Sequence, residues 1–276
     1  MNEPTGVAAP PLLPTSLYER QVTVDGVNIV LAQRGHGRPL LLLHSVDGID
    51  AQSPFFDALS EHFTVYAPWL PGFGHSEWPS EFRKVSDLVL FTRQVIEHLQ
   101  LDDLVLAGWG FGGWLAAELA VQSTQQLRAL VLIDAFGIKV GGRDERDIAD
   151  FYVHGHDELT KLAFHDPANA IHDYSGLPDD RLLGIARSRE AFAYFGWNPY
   201  LHNPGLHRWL PRIDVPTQVL WGASDQIVRP AYGEAYAQRI PAAQFRLIER
   251  AGHYPHLEQP AAVAAHIVAF AEQLGS

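Results

Sequence analysis

The 276-residue chain has no cysteine, and its 20 lysine and arginine residues are outnumbered by 32 aspartate and glutamate residues. The absence of cysteine excludes disulfide bonds, thiolate metal ligands and a cysteine nucleophile. A formal net charge of −12 leaves no basic surface to neutralise phosphates, so nucleic acid is not an expected partner. The sequence also lacks an apolar run of transmembrane length. We therefore expect a soluble, cytoplasmic protein that does not bind membranes.

The first 16 residues, MNEPTGVAAPPLLPTS, lack the charged start and continuous apolar stretch of a signal peptide. Their proline content predicts a flexible lead-in over residues 1–16. The chain as a whole is 47% apolar and long enough to bury a large core. Its length fits either one large domain or a domain with an insertion.

Strand and helix patterns alternate along the rest of the sequence. Buried strands are predicted at Pro39–His44, Phe63–Pro68, Asp103–Gly108, Ala129–Ala135, Thr217–Gly222 and Phe245–Arg250. Helices are predicted at Asp87–Leu99, Gly113–Gln122, Tyr232–Ile240 and Ala261–Leu274. Ser86 is a candidate N-cap for the first helix, and Arg20–Gly35 indicates an antiparallel hairpin that turns at Asp25-Gly26. The alternation predicts an α/β fold with a doubly wound, mostly parallel sheet.

Residues 139–211 break this alternation. They include GRDERDIADFYVHGHDELTKLAFHDP, which mixes charged and aromatic residues without a strong strand pattern. A structureless loop of this length is uncommon in a compact domain, so we expect helices here. Plain surface helices are one interpretation, but we favour a helical cap that closes over a pocket. The predicted division is a core of residues 1–138 and 212–276 and a cap of residues 139–211.

The stretch LVLAGWGFGGWLAAELA, residues 104–120, combines an apolar strand, a glycine-flanked turn and an alanine-rich helix. This is the layout of a nucleophile elbow, in which a strained turn presents a serine between two glycines. Here the presenting position, between Gly108 and Gly112, is Gly110, which has no side chain.

Further motifs accompany this elbow in a familiar order. They are HSVDG (His44–Gly48), PGFGHS (Pro71–Ser76), WGASDQIV (Trp221–Val228) and AGHYPHLEQP (Ala251–Pro260). From about residue 21 to the C-terminus, the chain resembles the capped branch of the α/β-hydrolase family, which includes carbon–carbon bond hydrolases and esterases. The resemblance implies an α/β-hydrolase fold with a cap and a small-molecule substrate. It implies no metal, nucleotide or flavin cofactor.

By this resemblance, Asp225 and His253 are the acid and base of a catalytic dyad. A carboxylate that accepts a hydrogen bond from one ring nitrogen fixes the tautomer and leaves the other nitrogen able to take a proton. The backbone amides of Phe111 and Val46 would form an oxyanion hole. The residues expected to contact substrate are Ser45, Asp47, Trp109 and Tyr254.

Histidines outside the dyad have a simpler interpretation. His154, His156, His165 and His172 match no helix motif with two histidines and a carboxylate, so solvated side chains are favoured over a metal site. His256 is interpreted as a bystander beside the predicted base.

Gly110 leaves three interpretations open. The protein is a serine hydrolase disabled by mutation, a natural enzyme without an elbow serine, or a non-catalytic protein that binds a ligand. Clustered departures favour the natural enzyme, because Ser45 stands where the family usually has glycine, Asp47 follows it, and Trp69 replaces a frequent acidic residue.

In the natural enzyme, the missing serine is expected to open space beside His253 for water or a substrate carbon. His253 would then activate water or abstract a substrate proton, which allows direct hydrolysis, carbon–carbon cleavage, hydration or lyase chemistry. Ser45 would bind the substrate oxygen, act as a displaced nucleophile or be a plain loop serine. We predict an enzyme that acts on a small, partly apolar carbonyl or ester compound, and homodimer formation stays open.

Overall fold

The structure, a computed structural model, describes residues 18–142, 144–170 and 174–275; the predicted lead-in over residues 1–16 and His172 lie outside them. The strands are Glu19–Val24 (β1), Val27–Gly35 (β2), Arg38–Leu43 (β3), Phe63–Pro68 (β4), Leu104–Trp109 (β5), Leu127–Ile133 (β6), Thr217–Gly222 (β7) and Gln244–Ile248 (β8). They form one sheet in the order β1-β2-β4-β3-β5-β6-β7-β8.

The sheet is mostly parallel. Strand β2 pairs antiparallel with β1 and β4, and every other neighbouring pair is parallel. The hairpin between β1 and β2 turns at Asp25 and Gly26, both with positive φ, which matches the primed turns that suit such hairpins. The predicted fold class is therefore confirmed.

Helices cover both faces of the sheet. They are Pro54–Ser60 (α1), Val85–His98 (α2), Gly110–Gln122 (α3), His156–Ala163 (α4), Asp179–Gly196 (α5), Leu206–Trp209 (α6), Pro230–Arg239 (α7), Pro255–Glu258 (α8) and Pro260–Gln273 (α9). Alternate residues of β3 point to opposite faces, so Leu41 and Leu43 pack with α2 and α3 while Leu40 and Leu42 pack with α1 and α9. Burial on both faces explains the continuous apolar runs in the sequence.

Helix α2 begins differently from the prediction. Its N-cap is Lys84, so the predicted cap residue Ser86 lies inside the first turn, and that prediction is wrong. The Asp87 carboxylate instead reaches back and accepts hydrogen bonds from the backbone amides of Arg83 and Lys84, each at 2.8 Å. A carboxylate in the first turn also matches the positive end of the helix dipole.

Replacing Asp87 by alanine should lower the free energy of unfolding by about 1 kcal/mol, because two backbone amides lose their acceptor. For a chain of this size, we expect the melting temperature to fall by roughly 2–4 °C. Thermal unfolding followed by circular dichroism measures this shift. The matched control is Asp102→Ala at an exposed position before β5, and an equal shift in both variants would contradict the capping role.

The segment between β6 and β7 contains α4, α5 and α6, together with short 3-10 turns at Pro167–Asn169 and Leu210–Arg212. Helix α5 is fixed to the loop that follows β4. The Gly74 amide donates to Ser188 Oγ at 3.0 Å, and the Arg187 guanidinium donates to the Ser76 carbonyl at 2.7 Å. The division into core and cap stays a prediction. Within the described ranges, each helix is too short or too polar to span a membrane.

Candidate active site

Asp225 and His253 form a buried, hydrogen-bonded pair where the loops after β7 and β8 meet. Asp225 Oδ2 lies 2.9 Å from His253 Nδ1, and Oδ1 accepts from the amides of Ile227 and Val228 at 2.8 and 2.9 Å. The side chains are 0% and 2% exposed. Because Nδ1 donates to the carboxylate, Nε2 is the nitrogen that is able to accept a proton. The structure thus brings together the two residues predicted as acid and base.

Aromatic rings surround the His253 imidazole. It stacks on Phe136 at a centroid distance of 5.1 Å, and Tyr254 meets it edge-on at the same distance. Phe151 adds a third ring at 6.4 Å. The His253 backbone amide donates to the Ala163 carbonyl at 2.6 Å, which ties its loop to the end of α4. These contacts hold the ring in one orientation in an apolar setting.

Gly110 is the first residue of α3 and has a φ of +51°, a left-handed conformation that glycine adopts without strain. A Cβ at this position would lie 2.6 Å from Ser45 Oγ and 3.0 Å from Ser45 Cβ. The space beside Gly110 is therefore filled by the Ser45 side chain. A serine from a neighbouring loop thus takes the place next to Gly110 that an elbow side chain would fill. The expected space beside His253 for water or a substrate carbon stays a prediction.

The Ser45 hydroxyl also accepts a hydrogen bond from one of the two backbone amides predicted to form the oxyanion hole. The backbone N–H of Phe111 donates to Ser45 Oγ at 3.1 Å, and both residues are buried. Ser45 Oγ thus accepts from this amide the kind of hydrogen bond that an oxyanion hole donates to a substrate oxygen. The Val46 amide belongs to the same loop as Ser45, and its part in such a hole stays a prediction.

His44 fixes the backbone on which Ser45 stands. Its Nδ1 lies 2.6 Å from the Ser45 carbonyl oxygen, and its Nε2 accepts from the Leu70 amide at 3.0 Å. Burial lowers the pKa of His44 to about 4, so the ring is neutral and donates from Nδ1. From the sequence, His44 was placed at the end of the predicted strand Pro39–His44 and in the motif HSVDG, without a role of its own, although a polar residue at the end of a buried strand is a signal for a site residue.

Asp47 joins three loops of the site. It accepts from the Trp109 indole N–H, 2.8 Å from Oδ1, and it pairs with His256 Nε2, 3.0 Å from Oδ2. His256 is buried and its ring lies 4.5 Å from the Trp109 ring. Asp47 thereby links the Ser45 loop to the elbow and to the His253 loop. The substrate contacts expected of Asp47, Trp109 and Tyr254 stay predictions.

Asp134, which sequence reasoning missed, is a third polar group at this site. It follows β6, is completely buried and accepts from the Gly222 amide at 2.9 Å. Its carboxyl, the Asp225 carboxyl and a His253 ring nitrogen lie within 4.8 Å of one another. Burial raises the pKa of Asp134 well above its ordinary value, and the nearby Asp225 raises it further. A polar residue at the carboxyl end of a buried parallel strand was the available signal.

The segment between β6 and β7 places apolar rings over the elbow. The ring centroid of Phe192, in α5, lies 5.8 Å from that of Phe111 and 6.2 Å from that of Phe136. Phe151 packs edge-on against Phe192 at 5.3 Å. Aromatic side chains of this segment therefore reach the residues around Gly110 and His253.

The histidines interpreted as solvated have ordinary partners. His154 Nδ1 lies 3.0 Å from Glu158, and His165 Nδ1 lies 2.8 Å from Ser224 Oγ. Neither belongs to the buried cluster around His253.

Known proteins share both the sequence pattern and the fold. The 2-hydroxymuconate semialdehyde hydrolase of Pseudomonas sp. (strain CF600) is 26% identical over 265 residues, which cover 89% of this chain and 91% of that protein. The pimeloyl-[acyl-carrier protein] methyl ester esterase of Legionella pneumophila (strain Corby) is 26% identical over 239 residues, or 84% of this chain and 94% of that protein.

Among solved structures, a meta-cleavage product hydrolase from Pseudomonas fluorescens IP01 superposes with a TM-score of 0.74 at 21% identity, covering 92% of this chain and 97% of that one. A thermophilic esterase from Thermogutta terrifontis gives a TM-score of 0.71 at 24% identity, covering 94% and 99%. The profile of the alpha/beta hydrolase family matches residues 36–266. Since this match spans most of the sequence, the chain belongs to the alpha/beta hydrolase family.

Proposed function

We propose that this protein is a hydrolase of small, partly apolar carbonyl or ester compounds in which His253 acts as a general base without an elbow serine. The observation that carries the proposal is the hydrogen bond from the Phe111 backbone amide to Ser45 Oγ, beside the glycine at the elbow. It indicates where a substrate oxygen would bind. The relatives support the substrate class, since one is a semialdehyde hydrolase and another an ester esterase.

In the proposed mechanism, the substrate carbonyl oxygen replaces Ser45 Oγ on the Phe111 amide, with the Val46 amide as second donor. His253 Nε2 takes a proton from water, and the resulting hydroxide attacks the carbonyl carbon. Asp225 stabilises the imidazolium, which returns its proton to the leaving group as that bond breaks. The products are a carboxylic acid and either an alcohol or a second carbonyl compound. A backbone donor of this kind stabilises the developing oxyanion by about 3 kcal/mol.

The rings of Phe136, Phe151 and Phe192 support an apolar substrate, because together they form an aromatic wall beside His253. All three lie between β6 and β7, and Phe151 and Phe192 lie within residues 139–211. We infer that residues 139–211 act as a cap, and α5 is well placed for this since it is bonded to the loop after β4.

A serine hydrolase disabled by mutation would need a different Ser45 rotamer in the chain that carries the elbow serine. Ser45 Oγ lies only 2.6 Å from the position that a Cβ at residue 110 would take, so a serine there and the present Ser45 rotamer exclude each other. The buried Asp225–His253 pair disfavours a purely binding protein, because a binding pocket has no need of an oriented base.

Replacing Ser45 by alanine tests this function. The substrate oxygen no longer competes with Oγ for the Phe111 amide, so we expect KM to fall by roughly three- to tenfold, as for one neutral hydrogen bond. We expect kcat to change less than KM. Steady-state kinetics with p-nitrophenyl acyl esters and with a vinylogous diketone measure both constants.

The alternative role of Ser45 as a nucleophile gives a different outcome in the same assay. It would produce a kcat reduced by on the order of 10²-fold or more in the alanine variant, and a burst with a covalent acyl-enzyme in the native protein. Intact-protein mass spectrometry after rapid quenching detects that adduct. The exposed Ser80→Ala variant is the matched control.

A further inference from the structure

We propose that Asp134 is a positioning residue that stays protonated and donates a hydrogen bond from Oδ2 to the Asp225 carboxylate. The inference rests on the proposed function, since it gives the acid of the proposed dyad a neutral partner. No step of the mechanism above uses Asp134, which touches neither water nor substrate in that scheme.

The hydrogen bonds of the two carboxyl groups are unequal. Asp225 accepts three, from the amides of Ile227 and Val228 and from His253 Nδ1. Asp134 accepts one, through Oδ1, from the Gly222 amide. Its Oδ2 is buried and accepts no hydrogen bond from a donor among the described residues, although the Asp225 carboxyl lies nearby. Three donors stabilise negative charge far better than one, so the charge belongs on Asp225.

The short distance between the Asp134 and Asp225 carboxyl groups disfavours a negative charge on both. The two carboxyls lie within 4.8 Å of each other in a water-excluded site, where neighbouring carboxylates cannot both ionise at ordinary cost. A proton on Asp134 Oδ2 removes the repulsion and gives this oxygen a role as donor. The facing titratable groups are Asp225, His253 and, through space, Glu258 of α8, whose negative charge adds to the effect.

This arrangement affects the base through Asp225. A hydrogen bond from a neutral acid withdraws part of the Asp225 charge, so the carboxylate stabilises the His253 imidazolium less strongly than an unshared one would. His253 therefore becomes a neutral, proton-accepting base at a lower pH. Asp134 thus adjusts the pH range of the reaction without contact with the reacting atoms.

The first test measures stability against pH and needs no activity. An acid that stays protonated in the folded protein but ionises in the unfolded chain lowers native stability as the pH rises above about 4. Asp134→Asn removes that loss, because the amide is neutral at every pH and keeps both a donor and an acceptor. We expect its midpoint urea concentration, relative to native protein, to increase steadily between pH 4 and pH 7. A difference that is constant across this range would overturn the proposal.

The second test uses the pH profile of kcat/KM. The acidic limb of Asp134→Asn should stay at the native pH whatever the absolute rate, because the variant keeps a neutral donor. In Asp134→Ala, the acidic limb should shift to a pH about 0.5 unit higher. The reason is that Asp225 then keeps its full charge and stabilises the His253 imidazolium more strongly. A downward shift of about one unit in Asp134→Asn would show that an ionised Asp134 was lost, and would overturn the proposal.

The two tests separate this inference from the proposed function. If neither carbonyl compounds nor esters are turned over, the stability measurement still decides whether Asp134 is protonated. The control is Asp102→Asn, whose exposed side chain should give a stability difference that does not change with pH. An isotope-edited infrared band of a protonated carboxyl, present at pH 7 in native protein and lost in Asp134→Asn, would support the assignment. Its absence from native protein would contradict it.

Discussion

Replacing His253 by alanine should lower kcat/KM on the true substrate by about 10³-fold, because the reaction then has no group to take the proton from water. The residual rate would come from binding and from the backbone amide of Phe111. Asp225→Asn should cost a similar factor, on the order of 10³–10⁴. An asparagine amide placed at Nδ1 donates to the ring, which puts the proton on Nε2 and leaves no acceptor there.

The effects of these two substitutions on kcat/KM should not be additive. Since the pair acts as one unit, His253→Ala combined with Asp225→Asn should be about as slow as the worse single variant. His98→Ala, at the exposed end of α2, is the matched control and should keep native kinetics. Turnover by His253→Ala within tenfold of native protein would remove His253 from the mechanism. Circular dichroism and melting temperature confirm that each variant is folded.

Introducing a serine at the elbow without any other change should not produce esterase activity. In Gly110→Ser, the new Cβ would meet Ser45 Oγ at 2.6 Å and Ser45 Cβ at 3.0 Å, so one side chain has to move. A non-glycine residue at a φ of +51° also costs roughly 1–3 kcal/mol of backbone strain. We expect Gly110→Ser to lose native activity and to be less stable.

A double substitution should reverse that outcome. Ser45→Gly in the Gly110→Ser background removes the obstruction and gives the glycine that the resemblance leads one to expect at position 45. The serine hydroxyl then lies on the elbow, close to His253. We expect hydrolysis of p-nitrophenyl esters to rise by on the order of 10²-fold over Gly110→Ser, with an acyl-enzyme burst.

The matched control for this exchange is Ser45→Gly alone, which should show no burst. Equal esterase activity in Gly110→Ser and in the double variant would show that Ser45 does not obstruct the elbow. Intact mass after rapid quenching distinguishes an acylated residue from simple turnover.

The inner strands of the sheet were predictable because they are buried on both faces. TQVLWG, for example, is fully buried as β7 over the predicted range Thr217–Gly222. Helix α1 was missed, since seven residues are too few to show a helical period, although Ser53 caps it by accepting from the Phe56 amide at 3.2 Å. Ser86 was a misleading cap signal because the helix begins one residue earlier, at Val85, and the Asp87 carboxylate accepts from the amides of Arg83 and Lys84 instead.

The site was only partly predictable for a different reason. Asp225 and His253 stand in motifs with a fixed order, so their pairing follows from the family pattern. Whether Ser45 would turn toward Gly110 depends on how two loops pack, which no spacing in the sequence encodes. Protein interiors are close-packed, so a side chain lost at one position tends to be compensated by a neighbour. Asp134 was overlooked because it stands at the end of the apolar run ALVLIDA.

The most direct measurement of the central claim is a crystal structure of the protein with a slow carbonyl substrate or a carboxylate product. We expect a ligand oxygen about 3 Å from the Phe111 amide nitrogen, with the Ser45 side chain rotated away and His253 Nε2 facing the ligand carbon through one water. A ligand bound elsewhere, with Ser45 Oγ still on the Phe111 amide, would contradict the account.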